Sequence, residues 1–272
     1  MVPIAFDAGN KQTLTAQCGS LYRLLKVPMR DACDGVIAQG VEVARSHLGR
    51  PIFALRTGAP LTDKSATRVL ILGAVHGDEL TSGWLSLKWA AFAPPMTEKR
   101  THSVLHVPIV NPDGVFGARP SRTNGRGVDL NRNFPTPQWN PEANRWWVNK
   151  TKRDPRRFPG HAAASEFETK YIMRVIETFK PTVVVSVHAP LGVLDYDGGG
   201  PLPERIGSIF LDSLGIYPGS LGHFGSRSRG VPVLTVELPH AINPVSTEET
   251  KRMWRDLFAW IDKYANYDSQ SK

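Results

Sequence analysis

Val69-Leu70-Ile71-Leu72-Gly73-Ala74-Val75-His76-Gly77-Asp78-Glu79 begins as an unbroken apolar run and ends in a histidine and a carboxylate three residues apart. A continuous apolar run, rather than strict alternation, reads as a strand buried on both faces. Just past the strand end, His76 and Glu79 can turn toward one point. Imidazole nitrogen and carboxylate oxygen are the ligands of a catalytic zinc, which takes three from protein and keeps one position open.

The third ligand has to come from elsewhere. Thr182-Val-Val-Val-Ser-Val-His188 is another β-branched run with a histidine at its end, and Pro232-Val-Leu-Thr-Val-Glu237 ends in a carboxylate. In open α/β sheets the ligand crevice lies beyond the carboxyl ends of the strands. His76, Glu79, His188 and Glu237 all fall there. A lone strand-end histidine is usually a hydrogen-bonded structural residue, and His-x-x-Glu alone occurs by chance. The recurrence of strand-then-ligand is what favours a metal site.

Helical signals separate these strands. Leu80–Phe92 reads as a helix stopped by Pro94-Pro95. Ser165–Phe179 reads as an amphipathic helix with a capping box at Ser165–Glu168 and an apolar face of Phe167, Tyr171, Ile172, Val175, Ile176 and Phe179. Ser246 caps a final helix to about Tyr264, and Asp268–Lys272 reads as a frayed tail. Ser103–Val110 reads as a strand, with Pro108 restricting it to an edge or a bulge. Ser20–Lys26, Asp34–Ala44 and Pro203–Leu214 are further helix candidates. Val115–His161 reads as a long irregular segment, a type of loop that is usually functional, with Trp139, Trp146 and Trp147 as its anchors. Strands alternating with helices, without a composition break, predict an α/β fold with a mixed, largely parallel central sheet flanked by helices. Residues 1–45 are expected to form an N-terminal extension packed on a catalytic domain of residues 46–265, with 266–272 as a flexible tail.

The chain has 272 residues, 41% of them hydrophobic, which is enough for a full core. It carries a formal net charge of +8. The basic residues are spread out, and the densest cluster, Lys150–Arg157, sits in a polar, proline-containing loop. This favours a solvated loop or attraction of an acidic substrate over nucleic-acid binding. No stretch is long and apolar enough for a membrane span, and the first residues lack a signal-peptide pattern, so the expected location is cytoplasmic. Cys18 and Cys33, the two cysteines, form no CxxC pair and read as free thiols.

His76-Gly-Asp-Glu79, Asn111-Pro-Asp-Gly114, Arg122-Thr-Asn124, Gly127-Val-Asp-Leu-Asn-Arg-Asn-Phe-Pro135, His188 and Glu237, in that order, resemble the zinc carboxypeptidase A superfamily over residues 46 to 262. The His-Gly-Asp-Glu form, the small size and His188-Ala-Pro-Leu191 are similar to the bacterial murein peptide amidases, which cut between γ-D-glutamate and meso-diaminopimelate. The resemblance implies one zinc per chain held by His76, Glu79 and His188. It implies that Glu237 is the general base toward zinc-bound water, that Arg122 stabilises the oxyanion, and that Asn131 and Arg132 grip the terminal carboxylate of a small peptide substrate. Tyr217 is the candidate for the family's substrate-covering tyrosine, its alternative being a packed loop aromatic. Asp195, Asp197, Ser226 and Arg227 are candidates for reading the far amine and carboxylate of diaminopimelate, with loop solvation as the alternative. Asp129 and Asn133 are candidates for orienting the loop and the ligands. Rival readings are a zinc amidohydrolase of the succinylglutamate desuccinylase or aspartoacylase type, and an inactive relative that binds muropeptides.

Overall fold

The computed structural model describes residues 8–28, 33, 41–92 and 101–270. Nine strands and five main helices appear among them: α1 (Ala8–Leu25), β1 (Val41–Arg45), β2 (Pro51–Gly58), β3 (Thr67–Leu72), α2 (Leu80–Phe92), β4 (His102–Val107), α3 (Trp139–Asn149), α4 (Phe167–Phe179), β5 (Val183–His188), β6 (Leu194–Asp197), β7 (Arg205–Ile206), β8 (Ile209–Phe210), β9 (Val233–Glu237) and α5 (Thr247–Gln270).

Seven strands form one mixed sheet in the order β1-β2-β4-β3-β5-β9-β6. Its centre is parallel, with β4, β3, β5 and β9 running side by side. Antiparallel pairs close both edges: β1–β2 and β2–β4 on one side, β6–β9 on the other. The apolar runs are explained by what covers them. Val69 and Ile71 of β3, and Val183, Val185 and Val187 of β5, pack with α1, α2 and α5 on one face. The intervening Leu70, Leu72 and Val184 pack with Ile172, Val175, Ile176 and Phe179 of α4 on the other. Both faces of the central strands are therefore dry, which removes the polar half of a strand's alternation.

The register fixes the site. Residue by residue, β5 and β9 pair so that His188 lies beside Glu237. β3 ends at Leu72, and the loop to α2 carries His76 and Glu79. Gly77 permits a close approach there, since a Cβ would sit 2.1 Å from the carbonyl carbon of Gly114. The Asn111–Gly114 turn, closed by Asn111 Oδ1 accepting from Gly114 N at 2.8 Å, thus packs directly on the loop bearing His76 and Glu79.

Several local expectations are corrected. Cys18 and Cys33 are disulfide-bonded, not free thiols. Val41–Arg45 is strand; residues 34–40 of the expected helix lie outside the described residues. The helix read at Ser20–Lys26 starts at Ala8. Pro203–Leu214 contains the β7–β8 hairpin instead of a helix. α4 begins at Phe167 without a side-chain cap, and Phe167 is exposed, not on the buried face. β4 stops at Val107, before Pro108, as a residue lacking an N–H requires. The irregular segment contains α3, which begins after a left-handed Gln138 with no side-chain cap. Ser246 does cap α5, its Oγ accepting from Glu249 N at 3.1 Å, and the helix runs on to Gln270.

Candidate metal centre and substrate cavity

His76, Glu79 and His188 converge from the β3–α2 loop and the end of β5. One ligand atom from each lies within 4.8 Å of the others, and all three side chains are buried. His76 Nδ1 is 2.7 Å from Glu79 Oε1, and His188 Nδ1 is 2.9 Å from Glu79 Oε2. The two Nδ1 atoms are 3.1 Å apart. The outer nitrogens have partners of their own: His76 Nε2 is 3.1 Å from Asp129 Oδ1, and His188 Nε2 is 3.0 Å from Ser186 Oγ. With Nε2–H donated outward, each Nδ1 turns a lone pair inward. Two lone pairs and a carboxylate facing one point form a donor set for a cation, and these residue types suit zinc. Among the described residues no other histidine, cysteine, aspartate or glutamate group has this form.

Asp129 ties the centre to the adjoining loop. It accepts from Arg122 Nε at 2.9 Å and from Asn131 N at 3.0 Å. Arg122 Nη1 also reaches Glu79 Oε1 at 3.3 Å. Burial opposes ionisation of Asp129, but Arg122 and His76 overcome it and hold its carboxyl well below the usual range. Burial likewise opposes Glu79, and the two imidazoles pull it the other way, leaving its carboxyl depressed. Glu237 behaves differently. Burial dominates and pushes its pKa up, against the attraction of His188. Its Oε2 is buried without a hydrogen-bond partner. A carboxylate with a raised pKa and an unused oxygen beside a metal site is poised to accept a proton.

A cavity of about 220 Å³ opens over this group. It is lined by His76, Glu79, His188, Glu237, Arg122, Asn131, Arg132, Tyr217, Asp195 and Asp197, so most of the residues singled out in the sequence meet there. Asn131 is oriented by Leu221 N, which donates to its Oδ1 at 2.8 Å. The Arg132 guanidinium packs against two rings, 4.9 Å from Trp146 and 4.7 Å from Tyr217. Burial lowers its pKa to about 10, and its Nε has no partner. The Tyr217 hydroxyl donates to Leu214 O at 2.6 Å, holding the ring over the guanidinium. Asn133 buttresses the loop from behind, with Nδ2 donating to Pro159 O at 2.8 Å.

The acidic side of the cavity is built from β6. Burial, then neighbouring Asp195, pushes the Asp197 pKa up to about 6, with Arg227 opposing. Gly222 makes room for this carboxylate: a Cβ there would stand 1.8 Å from Asp197 Oδ2. Asp195 accepts from Leu214 N at 3.1 Å, which anchors the loop before Tyr217. Arg227 and Ser226 do not line the cavity. Arg227 is exposed on the helical turn after Gly222, and Ser226 Oγ donates to Gly222 O at 2.8 Å. Sequence reading missed two contributors. Trp146 reads in the sequence only as an anchor of a loop, and Arg157, another lining residue, reads only as one member of a basic cluster taken as a solvated loop or as attraction for an acidic substrate.

Residues 35–199 match the zinc carboxypeptidase family model. The chain belongs to the zinc carboxypeptidase family. It is 33% identical over 244 residues to murein peptide amidase A of Escherichia coli K12, spanning 85% of this chain and 94% of that protein. The Vibrio campbellii murein peptide amidase A is also 33% identical, over 79% of this chain and 83% of its own length. Among solved structures, the murein-tripeptide amidase of E. coli O157 superposes with a TM-score of 0.58 at 24% identity, over 83% of this chain and 92% of that one. Carboxypeptidase A from Helicoverpa armigera gives 0.60 at 20% identity, over 90% and 71%. These two likenesses establish the fold. As a member of this family the chain is a hydrolytic metallocarboxypeptidase, similar to the murein peptide amidases.

Proposed function

We propose that this zinc carboxypeptidase releases a C-terminal residue from murein peptides by cleaving the amide between γ-D-glutamate and meso-diaminopimelate. The observation that carries the reading is one cavity lined by the metal triad, an acid with an unused oxygen, three arginines and two aspartates. The murein peptide amidase relatives supply the substrate class.

His76, Glu79 and His188 would hold one zinc ion per chain, and when bound the metal acidifies a coordinated water and polarises the scissile carbonyl. Every other part falls to the protein. Glu237 Oε2 accepts the proton of the attacking water and passes it to the leaving amine nitrogen, which departs as a neutral amine. Arg122, fixed by Asp129 and Glu79 through Nε and Nη1, keeps Nη2 for the oxygen that gains negative charge. Arg132 and the Asn131 amide bind the terminal carboxylate. The flanking rings exclude water from that contact, strengthening it. Asp197, ionised above about pH 6, attracts the far ammonium of diaminopimelate. Arg227 acts on this site only through its field at Asp197.

The expected partner is a small peptide, with no nucleic acid and no membrane among the ligands. Among the described residues no helix is long and apolar enough to cross a membrane. The Cys18–Cys33 bond weighs against the cytoplasmic expectation, since reducing compartments keep such pairs open. The direct test is incubation with L-Ala-γ-D-Glu-meso-diaminopimelate and product analysis by mass. Release of diaminopimelate is expected. Release of ordinary residues from α-linked peptides with the tripeptide left intact, or turnover of N-acetylaspartate or N-succinylglutamate instead, would overturn the reading.

A further inference from the structure

The cavity holds one more cation than a C-terminal peptide needs. Arg122 is committed to Asp129 and Glu79 through Nε and Nη1, which leaves Nη2 for the oxyanion. Arg132 is packed against Trp146 and Tyr217 to receive the terminal carboxylate. Arg157 also lines the cavity, and no carboxylate among the described residues lies within ion-pairing distance of it.

This arginine is placed by design of its surroundings. It ends a short helical turn, Pro155–Arg157, capped by Asp154, whose side chain accepts from Arg156 N at 2.9 Å. Arg156 pins the turn to the metal loop through Asp78 Oδ2 at 2.8 Å. Asp129 N donates to Phe158 O at 2.8 Å and pins its other end to the loop of Arg122 and Arg132. Trp147 Nε1 donates to Asp154 O at 2.8 Å, tying it to α3. A turn held on three sides thus sets a guanidinium in the cavity wall, half removed from water, repelled by Arg122 and attracted, short of an ion pair, by Asp129 and Asp154. A cation so placed has no carboxylate in direct contact, and a planar guanidinium fits a carboxylate in particular.

We infer that Arg157 binds the free α-carboxylate of the γ-linked glutamyl residue and so selects γ-glutamyl over ordinary α-linked peptides. The inference rests on the proposed murein-peptide reading and names which part of that substrate this residue recognises. A γ-linkage leaves the α-carboxylate four carbon–carbon bonds of about 1.5 Å from the scissile carbonyl carbon, an extended reach of roughly 5 Å. An α-linked residue has a peptide group in place of that charge. Three arginines then meet three sites of negative charge: Arg132 the terminal carboxylate, Arg122 the developing oxyanion and Arg157 the glutamyl carboxylate.

The test compares three peptides: L-Ala-γ-D-Glu-meso-diaminopimelate, the same peptide with the glutamyl α-carboxylate amidated, and the analogue with lysine replacing diaminopimelate. Each is assayed with wild type, Arg157→Gln and Arg157→Lys, and zinc content and thermal melting confirm folding. In Arg157→Gln the ratio of kcat/KM for free over amidated peptide is expected to fall about tenfold or more, the scale of a lost charge-assisted contact. Arg157→Lys, which keeps the charge and loses the fork, should restore part of it. An unchanged ratio would overturn the inference. So would an effect of Arg157→Gln that vanishes with the lysine peptide, because that would assign the residue to the far carboxylate of diaminopimelate. If wild type turns over none of the three, the substrate reading itself falls and takes this inference with it, a result distinguishable from a variant-specific failure.

Discussion

Replacing Trp146 by alanine tests whether aromatic enclosure of Arg132 sustains substrate binding. The guanidinium lies 4.9 Å from the Trp146 ring and 4.7 Å from Tyr217, and the two rings meet edge-on at 5.6 Å. A cation over an indole contributes about 0.5–1 kcal/mol when exposed and about 2 kcal/mol when desolvated. Arg132 is buried while Trp146 is half-exposed, so about 1–2 kcal/mol is the appropriate range. At 1.4 kcal/mol per tenfold, that becomes roughly 5- to 30-fold in kcat/KM. The terminal carboxylate is held equally in the ground state and the transition state, so the loss should appear in KM with kcat nearly kept. Steady-state kinetics on the murein tripeptide supply the measurement, and zinc content and melting temperature exclude a folding defect. A folded Trp146→Ala enzyme with KM within about twofold of wild type would refute the reasoning. A loss confined to kcat would refute it equally, since it would place the ring's influence on the reacting atoms.

Glu237→Gln should retain zinc and lower kcat by about 10² to 10⁴, the range of a lost general base; full activity would transfer the proton-accepting role elsewhere. The raised Asp197 pKa sets a pH dependence with a definite sign: the carboxylate is charged above about 6 and neutral below it. KM for the diaminopimelate peptide should therefore rise as pH falls through about 6, and Asp197→Asn should remove that arm of the profile. Opening the Cys18–Cys33 link by Cys18→Ser should cost about 3 kcal/mol in urea unfolding, from the entropy of a closed loop of this length. Equal stability of the oxidised and reduced wild type would contradict it.

The parts of the fold set by local pattern were readable. Two apolar runs ending in histidine and one ending in glutamate mark β3, β5 and β9, because burial on both faces leaves no other residue choice along those strands. Leu80–Phe92 and the core of α5 were readable for the same reason, through their apolar spacing. What was hidden depends on distant contacts. α3 opens on a left-handed residue without a cap and contains Pro141, so nothing local announces a helix. The β7–β8 hairpin has two-residue strands, too short for any periodicity. Pairing of Cys18 with Cys33 requires the chain to return against α1, which no spacing rule reveals. Arg157 differs from its neighbours in the basic cluster only by where its turn is pinned. In the Lys150–Arg157 cluster one arginine faces Asp78, the next faces the cavity, and the sequence alone makes them look alike.

Gly222 and Asp197 form a single packing unit in the cavity wall. With a Cβ at 222 destined to stand 1.8 Å from the aspartate oxygen, no side chain can be introduced there while the acid keeps its place. On the proposed reading of Asp197, retargeting the enzyme toward uncharged terminal residues would call for coupled changes at both positions, and libraries that vary Gly222 alone would displace the acid. The same coupling offers a diagnostic in unfamiliar sequences: an aspartate on the edge strand of this sheet matched by a glycine on the facing turn marks a wall built around a buried acid.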